Sequence, residues 1–298
     1  GSVQILGDFV HSGGSLATGA GKTVNVVAGG SLTLANGATL GGSGTLINEG
    51  TVNFSNNTLA HAIQNSGAMV MNGANTFTGS SFMHDGGTLT LASAGALTKS
   101  GGTFEWAGGD LQGVGAGLSL TGGATATISG GGSKVLNGVN VTAVSTDVVT
   151  GTLEVQSGSL STGITTIAAG ATLLHSGGSL VTGALTNDGT FQHTGTGSSF
   201  ISGGGTHTGT FIADTGAGIE FSGGAHAFNG ATFSGGGTFS RTAATMTVGA
   251  GGLTVDNGSI STPWHWAVPV RSSTTVPSPA AASPGAATSR TVRPAPCS

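Results

Sequence analysis

Asp85, Glu105 and Asp110 form the densest carboxylate group in this chain. Convergent carboxylates are what general acid–base cleavage of a glycosidic bond requires. They are spaced by 20 and 5 residues, so coils of about 20–21 residues would set Asp85 above Glu105 if both occupy equivalent sites. Glu105 lies between Phe104 and Trp106, with no cation nearer in sequence than Lys99. Strand alternation turns it to solvent when the two aromatic rings face inward. A solvated acidic face explains the group equally well, and no catalytic residue is assigned.

Other candidates resolve in the same direction. Thr18–Thr23 reads TGAGKT, but the phosphate-loop pattern needs a glycine five residues before Gly21, where Leu16 stands. The VNVV that follows is a strand, not the helix N-terminus that would hold phosphate. The aspartates Asp8, Asp85, Asp110, Asp147, Asp188, Asp214 and Asp256 are isolated, whereas an oxygen-rich cation site needs them clustered. Asp188 in NDG and Asp256 in DNG read as turn residues. Between His61 and His226 there is no His-x-His or His-x3-His pair. These histidines read as packed or surface groups rather than a metal site assembled from stacked coils, and His193 shares a face with Phe191. Thr-x-Thr pairs start at Thr76, Thr88, Thr125, Thr206 and Thr245, at intervals that fit no fixed coil multiple. They specify no threonine ladder of the kind an ice-binding solenoid presents, and strand propensity accounts for them. No cofactor or metal is expected.

The elements that carry these residues are short. From Thr210 to Ser240, Phe211, Phe221, Phe228, Phe233 and Phe239 each sit in a brief alternating run interrupted by glycine. Runs of three to five residues never complete a helical stripe, while strands need only period-two alternation and turn residues. The pattern recurs at Thr23–Val27, Ser31–Leu34, Thr45–Asn48, Thr51–Phe54, Ala68–Met71, Thr88–Leu91 and Thr103–Trp106. It continues at Ala124–Ile128, Ser133–Leu136, Val139–Thr142, Thr152–Val155, Ala171–Leu174, Thr190–His193, Thr210–Ala213, Gly218–Ser222, Ala231–Ser234, Thr245–Val248 and Leu253–Val255. Val52 with Phe54, Leu89 with Leu91, Phe104 with Trp106 and Leu153 with Val155 share an inward face. Strands this short cannot stand as hairpins but can stack. Three per coil of about 21 residues predicts roughly 12 coils and a rod near 60 Å long, all-β, with glycine and asparagine at the corners.

Composition agrees. Glycine accounts for 59 of 298 residues, charged residues for 6 % and aromatics for 5 %, with mean hydropathy +0.23. This chain is too apolar for generic disorder and lacks the glycine period of collagen. Before Thr262 it carries eleven acidic and four basic residues, a body near −7 with no electrostatic footprint for nucleic acid or an anionic membrane. Its one cysteine, Cys297, excludes a disulfide framework, and no apolar run approaches the length of a membrane span.

His11–Ala20 (HSGGSLATGA) and His175–Ala184 (HSGGSLVTGA) match at nine of ten positions with an offset of 164. That offset equals eight coils of about 20.5 residues, as duplication within an array would leave. All seven prolines lie at Pro263 or later, which suits continuous ladders before that point, since proline cannot donate to one. Residues 1–262 therefore read as the solenoid. Residues 263–298 read as a disordered Pro/Ala/Ser/Thr-rich tail, either a linker or sequence foreign to the fold. Trp264 and Trp266 are placed to cover the last coil's edge.

Gly29–Phe54, Gly101–Gly115 and Ala225–Ser240 resemble bacterial β-strand-repeat surface proteins, namely autotransporter passengers and filamentous-haemagglutinin-like adhesins. The resemblance covers about residues 1–262 and is one of style, without a diagnostic motif. It implies a right-handed parallel β-solenoid, secretion to the bacterial cell surface, and a non-enzymatic role as stalk or adhesive. The expected partners are host or matrix ligands, glycans or like molecules. The secretion region and outer-membrane barrel of that family are not found, so the chain reads as an internal piece. The alternatives are a β-helix polysaccharide lyase or glycosidase and, further off, an ice-binding solenoid.

Overall fold

Each alternating run forms a strand, and each Gly, Asn or Asp break forms a corner. In the computed structural model, residues 1–92 and 95–256 and the backbone of Ser259–Ser261 are described. The expected tail, 263–298, with Trp264 and Trp266, lies outside the described residues. Thirty-two strands and no helix occupy this span, and every strand pairing is parallel.

The chain winds as a parallel β-solenoid of about 13 turns, one more than the spacing predicts. Coil 1 comprises β1 (Val3–Ile5), β2 (Asp8–His11) and β3 (Ser15–Thr18). These set the first, second and third faces, pairing with Thr23–Val26, Ser31–Leu34 and Thr39–Gly42 of coil 2. Coils 9 to 13 open at Ile164, Ala184, Gly205, Ala225 and Thr245.

The expected strands are all present, but several fuse. Ser133–Leu136 and Val139–Thr142 belong to one strand, Ser133–Val148, while Thr103–Thr121 lies along all three faces. Strand geometry continues through these corners, although the pairing register shifts between Asp85 and Thr88 and between Gln112 and Ala116. Coil length also varies. Register partners are 17 residues apart at Thr51 and Ala68 but 25 apart at Leu111 and Leu136. Corners absorb the difference and leave the inward columns aligned.

One inward column runs the length of the rod: Ile5, Val26, Asn48, Asn65, His84, Trp106, Ile128, Val148, Ile167, Asn187, His207, Phe228 and Val248. The inward pairs expected at Val52/Phe54, Leu89/Leu91, Phe104/Trp106 and Leu153/Val155 are buried, as are all five phenylalanines from Phe211 to Phe239. Core packing against the coil above and below supplies what these short strands lack alone.

At one corner the backbone stacks on itself. A Cβ on Gly67 would lie 2.3 Å from the Gly50 carbonyl oxygen, and one on Gly50 would lie 2.3 Å from that of Gly30. Only glycine lets successive coils close there. The duplicated decapeptide occupies one site twice, leaving the second face for the third in coil 1 and again in coil 9, eight coils on.

Candidate functional site

The carboxylates do not converge. Phe82 pairs with Phe104 and Met83 with Glu105, so Glu105 stacks on Met83 rather than beneath Asp85, which pairs with Gly108. The local coil is 22 residues long where an offset of 20 would have been needed, and a register shift follows His84. Asp85 accepts from Gln64 Nε2 at 3.0 Å, Glu105 accepts from Ser129 Oγ at 2.6 Å, and Asp110 is carried to the second face beside Thr88. Asp147 follows on the first face, Glu154 on the second and Glu220 on the third. A shallow groove of about 370 Å³ beside the long coil is lined by Thr90, Gln112, Val114 and Asn137, among others, with no titratable side chain. It therefore lacks an acid or base.

The TGAGKT segment is a corner. Lys22 N–H donates to Gly19 O at 3.1 Å, and the strand Thr23–Val26 follows. Asp188 is a corner residue accepting from Thr208 Oγ1 at 2.7 Å, while Asp256 closes the strand Leu253–Asp256.

The Thr-x-Thr pairs are distributed over all three faces, but a single-column ladder exists elsewhere. Ser133, Thr152, Thr172, Thr190, Thr210, Thr232 and Thr254 are successive register partners at outward positions of the second face. In the adjoining outward column Leu174, Gln192, Ile212 and Ser234 carry no charge, and carboxylates stand on either side of them at Glu154 and Asp256. Spacing alone hid this ladder, because its steps are 19, 20, 18, 20, 22 and 22 residues. The available signal was the threonine that opens one strand after another.

The six histidines from His61 to His226 are core groups. His193 is inward, as expected from Phe191, and its Nδ1–H donates to Gly218 O at 2.8 Å. It stacks on His175, its register partner, with ring centroids 4.4 Å apart. His226 Nε2–H donates to Gly223 O at 3.0 Å, which leaves its Nδ1 to accept from His207 Nε2–H at 3.0 Å. His207 Nδ1 then has no partner, nor do the Nε2 atoms of His175 and His193. Burial holds the pKa of His175, His207 and His226 below the usual histidine range, that of His207 at about 3, and the neighbouring imidazole adds to this at His175 and His207. His84 differs, since Asn65 Nδ2 donates to its Nδ1 at 3.0 Å and its Nε2–H donates to Asp110 O at 3.1 Å. Among the described residues, no group of three or more His, Cys, Asp or Glu side chains could hold a metal.

Two lysines that look like surface charges in the sequence are buried. Lys99 donates from Nζ to Gly79 O at 2.7 Å and to Gly101 O, with the Phe77 ring 5.4 Å away. Lys134 donates to Gly130 O and Gly131 O at 2.7 and 2.9 Å. Burial lowers both pKa values. Their parity with Leu97 and Leu136 was the sequence signal. These ammonium groups satisfy corner carbonyls, so neither acts as a cationic partner for Glu105.

Taken together, these features define a parallel β-solenoid with polar groups set into its core. Comparison with protein-family models, curated proteins and solved structures finds no match for this chain.

Proposed function

We propose that this chain is a non-enzymatic structural and adhesive segment of a secreted bacterial surface protein. It acts as a rigid stalk whose sides bind host or matrix ligands, glycans or like molecules. The observation that carries this reading is the dispersal of charge: Asp147, Glu154 and Glu220 stand on three different faces of the ladder, and Glu105 is not brought beneath Asp85. Parallel ladders running the length of a rod resist extension, because every coil is held by hydrogen bonds to the next. Deleting these coils from the surface of the producing cell is expected to weaken attachment, aggregation or biofilm formation. Unchanged attachment with loss of polysaccharide cleavage would overturn the reading in favour of a lyase or glycosidase.

A second reading, an ice-binding solenoid, draws support from the ladder Thr152 to Thr254, whose hydroxyl-bearing side chains recur on one face at the strand spacing of about 4.8 Å. No aromatic platform for a sugar ring lies in its outward columns from Ser133 to Asp256. Thermal hysteresis of the purified chain, abolished by Thr190→Tyr with Thr210→Tyr, is the expected result on this reading. No hysteresis from the unaltered chain would remove it.

A further inference from the structure

Coils 9 to 12 carry one buried histidine each: His175, His193, His207 and His226. They form two pairs between adjacent coils, with ring centroids 4.4 Å apart in the first and 5.2 Å in the second. We propose that these pairs make coils 9–12 an acid-responsive segment, which opens as pH falls while coils 1–3 stay closed.

Both pairs are arranged against the imidazolium form. His226 spends its Nε2–H on Gly223 O and its Nδ1 on accepting from His207, so an added proton must go to His207 Nδ1. That atom is buried and unpartnered, and its ring packs on Phe211 and Phe228 with centroids 5.1 and 4.9 Å away. In the first pair His175 Nδ1 lies 2.7 Å from Ser199 Oγ and His193 Nδ1–H donates to Gly218 O, while the Nε2 atoms of both stacked rings are buried without a partner. A second charge in either pair meets the first across a low-dielectric core.

The charged side chains on the surrounding elements give no relief. Glu154 accepts from Ser176, Glu220 from Thr242 and Asp188 from Thr208. Asp214 follows the inward Ala213 at a corner, and Arg241, a register partner of Phe221, donates to Ala244 O and is itself cationic. The hydrogen-bond partners of the four imidazoles are Ser199, Gly218, Gly223 and, for His207 and His226, each other, and none of these is a carboxylate. His84, in coil 5, is also held below the usual histidine range by burial, but its hydrogen bonds and the field of Asp85 and Asp110 oppose that shift. Coils 1–3 hold no histidine pair: His11 stands singly in coil 1, and His61, at the corner leading out of coil 3, is buried singly with its Nε2 2.5 Å from Thr18 Oγ1, its pKa also lowered by burial. The unfolded chain takes protons up below about pH 6.5, whereas burial disfavours the imidazolium of His175, His207 and His226 in the folded chain, so falling pH pulls these coils open.

Hydrogen–deuterium exchange of the full chain, stepped from pH 7 to pH 4.5 and corrected for intrinsic exchange rates, tests this. The expected result is at least a tenfold loss of protection in peptides spanning 172–228, with those spanning 23–54 unchanged. Changing His175, His193, His207 and His226 together to Leu should abolish the difference. If that variant fails to fold at pH 7, the two pair variants should each remove part of it, and proton NMR of the unaltered chain supplies an independent reading. Imidazoles of His175, His207 and His226 titrating near pH 6.5 in the folded protein, or protection lost equally along the rod, would overturn the proposal.

Discussion

His207 Nε2 lies 3.0 Å from His226 Nδ1, and the hydrogen bond between them runs one way only, because His226 Nε2 already donates to the Gly223 carbonyl. The two residues are therefore not equivalent. His226→Leu strands both nitrogens of His207 in the phenylalanine core, whereas His207→Leu removes the atom that already lacks a partner. We expect His226→Leu to destabilise by about 1–3 kcal/mol more than His207→Leu, measured by urea denaturation. Equal losses would contradict this hydrogen-bond direction.

The same burial fixes the sign of the pH dependence. His207 has its pKa depressed to about 3. Between pH 6.5 and that value the unfolded chain binds a proton the folded one does not, so stability is full above pH 6.5 and declines below it. This residue alone contributes a slope of about 1.4 kcal/mol per pH unit. Urea midpoints measured from pH 7.5 to pH 4 should fall with acid, and His207→Leu should flatten the curve.

Thr146 is buried with its hydroxyl unpartnered, beside a void of about 20 Å³ lined also by Ala126, Ile128 and Leu153. Thr146→Val keeps the shape and removes the unsatisfied polar atom, and should stabilise by about 1 kcal/mol. A raised thermal midpoint is the expected result; a lowered one would mean that the hydroxyl has a partner.

Gly67 and Gly7 separate close backbone stacking from ordinary turn chemistry. A Cβ at Gly67 meets the Gly50 carbonyl oxygen at 2.3 Å, while one at Gly7 meets nothing within 4 Å. Gly67→Ala should cost about 3 kcal/mol because two coils must separate. Gly7→Ala should stay within about 0.5 kcal/mol. Denaturant midpoints of the two variants make the comparison.

Most of the architecture was legible because it is local. Alternation in TVNF (Thr51–Phe54) and TLEV (Thr152–Val155) states which side chains turn inward, whatever the chain does elsewhere. The same parity places Lys99 and Lys134 inside, where two corner carbonyls receive each ammonium.

By itself, then, the sequence determined the strands, their inward faces, the glycine corners and the coil as the repeating unit, since these follow from side-chain parity and backbone conformation over a few residues. The lateral relationships were decided only by the tertiary structure. Whether Asp85 lies over Glu105, whether threonines align into a ladder and whether His175 meets His193 all depend on coil length. Register offsets here run from 17 to 25 residues, taken up at corners by bulges and bends that no fixed period encodes. Stacking restores the inward columns because burying them is strongly favourable, and the outward residues are carried to whichever neighbours that alignment supplies.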